Sequence, residues 1–347
     1  MMANAPTPPA LGLIGAGSLG QAFAALLARD SQAVTLLATP ATASRLMEAG
    51  HIRLRGVVTC EAPVAPAPAP SGSVGITTDA AQLPTGAGLI FTTKGHQLAA
   101  AVAEVRAAWP SPGDSNAWVA GVQNGVVKDD LLTAAFGGKR VVGAATILGA
   151  ERQADGTITV TSPGMTYLGE LSGGASERVT AAVALLSGAG IPAQSPTDIR
   201  SVIWSKACNA AGVFGVSVLA RTTAPEIFAS PDLVRAYLSL IRETAAVGAA
   251  VGITVGDYPN FPPIHTYVVR TDEETLRAIP APMAGTSGAR GGSLPSMTQD
   301  LLAGRPMEVD AVFGDLVARA ERYGVAAPRL TLVRDLLRGR DRLRPDG

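Results

Sequence analysis

The chain has 347 residues, and with 47% hydrophobic and only 16% charged residues it can bury a large core over about two domains. Its basic and acidic residues balance at 28 each without a basic block, and no uncharged apolar run approaches the roughly 18 residues of a membrane span, so we expect neither a nucleic-acid nor a membrane partner. Two cysteines and three histidines without a Cys/His cluster argue against a disulfide framework and a zinc site, and they favour a cytoplasmic location.

The first half of the chain alternates short apolar runs with helical patterns. Its opening residues, 1–6, lack the basic and apolar regions of a signal peptide, and we expect a loose tail there. Strands are predicted at Leu11–Ile14, Val34–Leu37, 51–58, 89–93, 117–122 and 141–148, and helices at 18–28 and 41–49. This alternation predicts the α/β class, with an N-terminal Rossmann-type, doubly wound parallel sheet.

Two local signals modify this sheet. The proline-rich stretch 62–72 predicts an extended, solvated loop rather than a docking motif, because proline removes backbone donors and stiffens the chain. Asp155-Gly156, between Arg152 and Thr161, predicts a hairpin. We therefore expect an antiparallel edge to close the sheet.

After Pro196 the pattern becomes helical and stays so to about Arg340, apart from a Gly/Pro-rich break at 279–295. We therefore predict a dinucleotide-binding domain over 1–196 and an all-helical substrate domain over 197–347, with the ligands in a cleft between them. Within the break, 285–292 is glycine-rich, and a mobile loop near the substrate and an inert linker are equally compatible with it.

A glycine motif follows the first predicted strand. It consists of Gly15, Ala16, Gly17, Ser18, Leu19 and Gly20. The first glycine permits a tight turn, the second lets the backbone approach a pyrophosphate, and the third lets helix and strand pack closely. The helix N-terminus then offers N–H groups to the phosphates. The motif predicts dinucleotide binding, the alternative being a tight turn without ligand.

Three further strand ends carry candidate ligand-binding residues. Lys94 and Asn124 follow the strands at 89–93 and 117–122, where ligands of open α/β sheets bind. After the second strand, where NAD enzymes usually keep an acid, the chain has Thr39 and, further along, Arg45. Hydroxyls and an arginine suit a 2′-phosphate, which favours NADP. Arg45 is equally compatible with a solvated helix position.

Lys206 lies in the first helix of the second domain, for which Asp198 or Thr197 is the expected cap. The predicted apolar stripe consists of Ile199, Val202, Ile203, Ala210 and Val213. Lys206 falls in the middle of this stripe and Asn209 at its edge. Since desolvation lowers the pKa of a lysine, Lys206 could donate a proton near neutral pH. The alternative is a lysine whose stem covers apolar surface.

Two segments near the C-terminus supply Ser296 and Glu308. Pro306 fits a first helical position, and the apolar stripe after it consists of Val309, Val312, Phe313, Leu316 and Val317. This puts Glu308 in the first turn, where an acid complements the helix dipole. A second interpretation pairs Glu308 with Lys206, so that the lysine stays charged and oriented.

These residues belong to an ordered series that resembles the ketopantoate reductase (2-dehydropantoate 2-reductase) family from Leu11 to about Leu330. The series comprises the glycine motif, Thr93-Lys94-Gly95-His96-Gln97, Gln123-Asn124-Gly125, Gly143-Ala144-Ala145-Thr146, Trp204-Ser205-Lys206, Ser296-Met297-Thr298-Gln299-Asp300, Gly304-Arg305-Pro306-Met307-Glu308-Val309-Asp310, Gly324 and Pro328. The resemblance implies a Rossmann domain with a helical domain, NADPH as cofactor, and reduction of a 2-keto acid to a 2-hydroxy acid in pantothenate biosynthesis.

The resemblance also implies roles for individual residues. Lys206 would be the general acid, and Glu308 would bind the substrate hydroxyl, hold the lysine and adjoin the cofactor. Ser296 would hold the substrate carboxylate, Asn124 would touch cofactor and substrate, and Lys94 would line the cofactor cleft. No metal is implied.

The chain differs from the family pattern at several positions. The family commonly has asparagines four and eight residues after the lysine, where this chain has Ala210 and Phe214; Asn209 is the nearest substitute. Many members also have an arginine where this chain has Thr39. Two alternatives follow: a reductase of another branched or aromatic 2-oxo acid, and a non-catalytic NADP(H) sensor. Helical domains of this kind often form homodimers.

Overall fold

The computed structural model describes residues 11–86, 88–109, 117–259, 261–279 and 294–344. The tail expected at 1–6, the glycine-rich stretch 285–292 and most of the break at 279–295 lie outside the described residues. Two compact units are present. The first comprises the described residues up to Gln123 and Lys128–Ile199; the second comprises Asn124–Val127 and the described residues from Arg200 onward.

The first unit contains all the strands of the described residues. They are β1 Leu11–Ile14, β2 Val34–Leu37, β3 His51–Gly56, β4 Cys60–Pro66, β5 Val74–Thr77, β6 Gly88–Phe91, β7 Trp118–Gly121, β8 Val142–Thr146, β9 Gly149–Arg152, β10 Ile158–Ser162, β11 Thr166–Glu170 and β12 Ala193–Gln194. The helices that begin in this half are α1 Ser18–Arg29, α2 Pro40–Ala49, α3 Gly95–Ala108, α4 Val127–Phe136 and α5 Glu177–Gly188.

Nine of these strands form one sheet in the order β7-β6-β1-β2-β5-β4-β3-β10-β9, and β12-β11-β8 form a second, smaller sheet. The six strands from β7 to β4 in this order are all parallel to one another. Parallel strands with helical crossovers are buried on both faces, and β1, β6 and β7 are buried along their whole length. The predicted α/β class and Rossmann-type sheet are confirmed.

The strand order places a switch point beside β1. The chain proceeds from β1 through β2 to β5 on one side, then returns with β6 to the other side of β1. The carboxyl ends of β1 and β6 therefore border the crevice where ligands of open α/β sheets bind. The glycine motif follows β1, and Thr92-Thr93-Lys94 follows β6.

The predicted antiparallel edge is confirmed. β9 and β10 pair antiparallel around Asp155-Gly156 and end the nine-stranded sheet. Gly156 has φ +85°, and the Asp155 carboxylate accepts hydrogen bonds from the backbone N–H and the hydroxyl of Thr157. Left-handed backbone at the second position and side-chain acceptance at the first explain why Asp-Gly forms this turn.

The solvated loop predicted over 62–72 is wrong in its first part, because Cys60–Pro66 is a strand inside the sheet. β4 pairs with β3 and with β5, a strand that the sequence patterns did not predict. Prolines 63 and 66 are tolerated because the residue after each of them donates a backbone hydrogen bond. The Val64 N–H donates to the Gly50 carbonyl oxygen, and the Ala67 N–H donates to the Ile76 carbonyl oxygen. The missing proline donors therefore cost the sheet little.

The second unit is helical. Its helices are α6 Ile199–Ala220, α7 Ala224–Ala229, α8 Pro231–Ala250, α9 Ile264–Val269, α10 Asp272–Ala278, α11 Ser296–Leu302, α12 Asp315–Tyr323 and α13 Pro328–Arg342, and a π-helical turn, Asp310–Gly314, precedes α12. Glu243 of α8 is buried and accepts hydrogen bonds from the first backbone N–H groups of α13, at Arg329 and Leu330. This carboxylate joins the two helices.

Four of the five residues predicted for the apolar stripe of α6 are buried, but the burial extends beyond the stripe to nearly every side of the helix. Besides the predicted positions, Trp204, Ala207, Cys208 and Ala211 are buried, whereas Val213 is only half-buried. By length and composition α6 passes the test for a membrane span, yet 78% of its most apolar window is buried inside the protein. Core helices of soluble proteins pass the same test.

The helix predicted to begin at Pro306 begins at Val309 instead. Residues 305–308 are not helical, and the Met307 N–H bonds to the Asp341 carboxylate of α13 rather than to a helical partner. The predicted stripe after it is confirmed, since Val309, Val312, Phe313, Leu316 and Val317 are all buried. Glu308 therefore immediately precedes the helix and does not lie in its first turn.

Candidate active site

The glycine motif forms an open cradle at the end of β1. Gly15 has φ +108°, and a Cβ on it would lie 2.7 Å from Thr93 Cγ2, whereas a Cβ on Gly20 would collide with the Gly15 carbonyl oxygen. Gly17, by contrast, has nothing within 4 Å of the place where a Cβ would stand. The outer glycines thus satisfy internal packing, and the middle one leaves space for a ligand. This is the arrangement that a dinucleotide pyrophosphate requires.

Side chains of the first unit hold this cradle in place. Thr92 Oγ1 donates to the Gly15 carbonyl oxygen over 2.7 Å, and Gln21 Nε2 donates to the Ala16 carbonyl oxygen over 2.7 Å. Gly17 is the N-cap of α1, and no side chain of the described residues caps the helix there. The first N–H groups of α1 are therefore available to an anion.

Gln123, at the end of β7, carries an unsatisfied buried acceptor. Its Nε2 donates to the Phe91 carbonyl oxygen over 3.0 Å, while its Oε1 has no hydrogen-bond partner among the described residues. A buried acceptor without a partner is costly, and a bound donor would remove that cost. A nicotinamide dinucleotide carries ribose hydroxyl and carboxamide donors, so the orphaned oxygen and the glycine cradle both fit such a cofactor.

The other predicted cofactor residues of the first unit lie at helix beginnings. Lys94 is half-buried and is the N-cap of α3; its backbone N–H donates to Gln97 Oε1 over 3.3 Å. Thr39 is the exposed N-cap of α2, and its hydroxyl lies 3.1 Å from that of Thr42. Arg45 is exposed on α2.

In the second unit, α6 carries Lys206 and Asn209, one turn apart and both half-buried. Two serines fix the helix: Ser201 Oγ donates to the Thr254 carbonyl oxygen over 2.6 Å, and Ser205 Oγ donates to the Gly256 carbonyl oxygen over 3.0 Å. Lys206 is thus an ammonium on a rigid, largely apolar helix. Rigid support is what a positioned proton donor needs.

Ser296 begins α11 and is half-buried. α11 is tied to α6 through a hydrogen bond between the hydroxyls of Thr298 and Ser217, which lie 2.7 Å apart and are both fully buried. Asp300, also buried, forms an ion pair with Arg305 at 2.9 Å. Asp300 therefore has a structural role in the motif 296–300. Ser296 remains the candidate ligand-binding residue of this motif.

Glu308 is only 4% exposed, and its backbone oxygen accepts from Val312 N–H at the beginning of the π-helical turn. The turn at Asn124-Gly125 packs on this segment, because Gly125 has φ +85° and lies so close to the Ala311 carbonyl oxygen that any Cβ would collide with it. Gly215 of α6 packs on the Phe313 ring of the same turn. The second unit therefore joins the Asn124 loop, the Lys206 helix and the Glu308 segment.

The predicted site residues thus divide between the units. The first holds Gly15, Ala16, Gly17, Ser18, Leu19, Gly20, Thr39, Arg45 and Lys94; the second holds Asn124, Ser296, Lys206, Asn209 and Glu308. The sequence patterns assigned no role to Gln123 or to Tyr237, which bonds to Asn209. The position of Gln123 beside Asn124 at a strand end could have indicated a role in the site. No local sequence pattern indicates a role for Tyr237.

Among the described residues, no group of three His, Cys, Asp or Glu side chains is placed to hold a metal ion. Cys60 and Cys208 are free and buried, and burial raises the pKa of both thiols. Neither thiol combines the low pKa and the exposure of a reactive cysteine.

Comparisons with known proteins all indicate the same family. The models "Ketopantoate reductase PanE/ApbA" and "Ketopantoate reductase PanE/ApbA C terminal" match residues 11–173 and 198–341. A 2-dehydropantoate 2-reductase from Pyrococcus abyssi is 24% identical over 331 residues, which are 95% of this chain and 97% of the relative.

Solved structures share the fold. The 2-dehydropantoate 2-reductase from Geobacter metallireducens GS-15 has a TM-score of 0.76 at 21% identity, covering 95% of this chain and 99% of that one. D-Mandelate dehydrogenase with NADH and anilino(oxo)acetate has a TM-score of 0.74 at 18% identity, covering 96% and 98%.

Proposed function

The chain belongs to the ketopantoate reductase family, and on this premise we propose that it reduces 2-dehydropantoate to pantoate with NADPH, a step of pantothenate biosynthesis. As a member of this family it is an oxidoreductase with a nicotinamide cofactor. The observation that best supports reduction of 2-dehydropantoate is the set of polar groups in the second unit. It combines a half-buried lysine, a buried carboxylate and an asparagine turn on tightly joined segments.

We assign the dinucleotide to the domain 1–196. The glycine motif would hold the pyrophosphate, and Lys94, Thr39 and Arg45 would contact the rest of the cofactor. The bound nicotinamide supplies a hydride from its C4 to the keto carbon. NADP is favoured over NAD because the end of β2 carries Thr39 and no acid to bond ribose hydroxyls.

We assign proton transfer to Lys206, in the domain 197–347. As the keto carbon accepts the hydride, negative charge develops on the carbonyl oxygen. The Lys206 ammonium stabilises this charge and delivers the proton that completes the hydroxyl. Glu308 would accept a hydrogen bond from that hydroxyl and keep Lys206 oriented; its carboxylate also adjoins the cofactor in this assignment.

In this proposal, hydrogen-bond donors of the protein hold the substrate. Ser296 would donate to the substrate carboxylate, Asn124 would contact substrate and cofactor, and Asn209 would add an amide. These groups recognise a small 2-keto acid. The free thiols Cys60 and Cys208 suit the reducing cytoplasm in which we expect the enzyme to act.

The test is turnover by the purified protein, followed through the loss of NADPH absorbance with 2-dehydropantoate and a panel of other 2-oxo acids. The proposal predicts the highest kcat/KM for 2-dehydropantoate, by about tenfold or more over acids lacking its hydroxyl. NADPH binding without turnover of any 2-oxo acid would instead support a cofactor sensor.

A second candidate is reduction of a 2-oxo acid with a more apolar, branched or aromatic side chain. It is favoured by Ala210 and Phe214, which are buried one and two turns after Lys206 on the same side of α6. Neither can bond to a substrate hydroxyl. A clear preference for such an acid in the same panel would select this candidate.

A further inference from the structure

The segment that carries Glu308 has no regular secondary structure. Residues 305–308 lie between the turn that follows α11 and Val309, where helical backbone begins. Glu308 is nevertheless only 4% exposed. Because the backbone N–H groups of such a segment are not paired within a helix or a strand, hydrogen bonds to other elements must satisfy them and set the path of the chain. These bonds therefore decide where the Glu308 side chain starts.

One end of the segment is attached to the helix before it. The Arg305 N–H donates to the Asp300 carbonyl oxygen over 2.8 Å, and Arg305 Nε donates to the buried Asp300 carboxylate over 2.9 Å. Pro306 follows and has no N–H group. Met307 therefore provides the next backbone donor of the segment, directly before Glu308.

A carboxylate of the last helix accepts from this donor. The Met307 N–H donates to Oδ1 of Asp341, in α13, over 3.0 Å. Met307 is only 4% exposed, so its N–H would be costly to leave without a partner. A charged acceptor also makes a stronger hydrogen bond than a neutral one. Asp341 is itself oriented by an ion pair with Arg344 at 2.8 Å.

The same helix contacts the chain on the other side of Glu308 as well. Arg338, one turn before Asp341 on α13, donates through its Nε to Oδ1 of Asp310 over 2.6 Å. The Asp310 side chain is 76% exposed, and an ion pair so exposed contributes little. The bond from Met307 to Asp341 is therefore the stronger of the two contacts between α13 and the neighbours of Glu308.

We propose that Asp341 is a positioning residue, which fixes the backbone at Met307 and thereby the direction of the Glu308 carboxylate. The inference rests on the proposed function, in which Glu308 binds the substrate hydroxyl and orients Lys206. Displacement of a reacting group by about 1 Å can lower turnover by about 10²-fold. A side chain 34 positions after Met307, on the last helix, would thus support the reaction.

The experiment compares two substitutions of Asp341 by steady-state kinetics with NADPH and the 2-oxo acid that the wild-type protein prefers. Asp341→Ala removes the acceptor and should lower kcat/KM by about tenfold to hundredfold. Asp341→Asn keeps an amide oxygen that can accept from the Met307 N–H, so its kcat/KM should stay within about threefold of the wild-type value. If the negative charge alone mattered, both substitutions would have the same effect.

Two control variants separate this role from general effects of charge. Arg344→Gln removes the ion pair of Asp341 but leaves the hydrogen bond from Met307. Asp335→Ala removes a carboxylate of the same helix whose side chain is 58% exposed. Both variants should keep kcat/KM within about twofold of the wild-type value. Thermal melts check that each variant is folded.

A double-variant cycle tests whether Asp341 acts through Glu308. In a Glu308→Gln background, whose low rate is measured at higher enzyme concentration, Asp341→Ala should cause little further loss, because the carboxylate that it positions is gone. Independent losses in the double variant would overturn the inference. It would equally be overturned if Asp341→Asn were as slow as Asp341→Ala, or if folded Asp341→Ala kept the wild-type rate.

Hydrogen exchange of the Met307 amide provides a measurement that needs no substrate. Asp341→Ala should speed this exchange by about tenfold or more, whereas Asp341→Asn should change it little. If the wild-type protein reduced no 2-oxo acid, the proposed function would fail, while the exchange rates would still decide whether Asp341 fixes the segment. Unchanged exchange in Asp341→Ala would reject the inference even where turnover supports the function.

Discussion

The hydroxyl of Tyr237 donates a hydrogen bond to Oδ1 of Asn209 over 3.0 Å. Tyr237 is fully buried, and burial holds its pKa well above the usual range, so the hydroxyl keeps its proton. Because the amide oxygen of Asn209 is engaged, its NH₂ group is what remains for a ligand. Together with Lys206, one turn earlier, it presents donors, which suit the oxygen atoms of a 2-oxo acid.

Tyr237→Phe should weaken substrate binding more than it slows chemistry. Loss of the hydroxyl frees the Asn209 amide to rotate, and one hydrogen bond corresponds to a KM increase of about fivefold to tenfold for the 2-oxo acid. We expect kcat to stay within about twofold. Steady-state kinetics with Asn209→Ala and the double variant should show non-additive effects. Additive effects would mean that Tyr237 does not act through Asn209.

Lys206→Ala should lower kcat by about 10²-fold or more, since the general acid is removed. NADPH affinity, measured by fluorescence titration, should be unchanged. Lys206→Arg keeps the charge but is a poor proton donor at neutral pH, so it should restore little of the rate. Lys139→Ala, on an exposed position of the first unit, is the control. A near-native rate in Lys206→Ala would refute the assignment of Lys206 as the general acid.

Two glycines of the same motif should respond differently to alanine. Gly17→Ala adds a Cβ into open space at φ −74°, so stability should be kept while cofactor affinity falls at least about tenfold, or about 1.4 kcal/mol. Gly20→Ala would collide with the Gly15 carbonyl oxygen and should cost about 1–3 kcal/mol of unfolding free energy. Denaturation and NADPH titration of both variants check this. Unchanged cofactor affinity in Gly17→Ala would contradict the proposed pyrophosphate position.

The ion pair between Glu170 of β11 and Arg178 of α5 should make stability depend on acid pH. Arg178 Nε and Nη2 donate to the two carboxylate oxygens over 2.7 and 2.6 Å, and this pairing holds the Glu170 pKa below its usual value. A lowered folded pKa gives stability that is complete above the unfolded pKa of about 4.3 and is lost as pH falls through the folded pKa.

Glu170→Gln should therefore lower the unfolding free energy by about 2 kcal/mol at pH 7, with the difference shrinking below about pH 4. Urea titrations at several pH values measure this. Asp232→Asn removes a highly exposed partner of Arg235 and should have almost no effect. A Glu170→Gln deficit that stays constant down to pH 3 would show that the loss is not electrostatic.

Local sequence signals sufficed for the first part of the nucleotide-binding sheet. β1 and β2 lie at the predicted residues because strands buried on both faces are continuous apolar runs between turn residues. The Asp-Gly turn was equally predictable, since its conformation depends on two adjacent residues. β4 was not, because its Ala/Pro composition is atypical of strands and only pairing with β3 and β5 makes it one.

The candidate site likewise has features that local sequence predicts and features that depend on tertiary packing. The glycine motif is local chemistry, so its place at the end of β1 was predictable from six residues. The sequence also singled out Lys206 and Glu308, but it misplaced their surroundings: the helix after Glu308 begins at Val309, and α6 is buried on nearly every side rather than along one stripe.

By itself, then, the sequence determined the fold class, the nucleotide-binding turn and the residues that carry the family resemblance, because each depends on neighbours a few positions away. Only the tertiary structure decided that Tyr237 holds Asn209, that Gly125 packs on Ala311, and that Asp341 holds Met307. These contacts join residues 28 to 186 positions apart. Their partners are selected by the packing of whole helices and strands, which leaves no periodic or local signal in the chain.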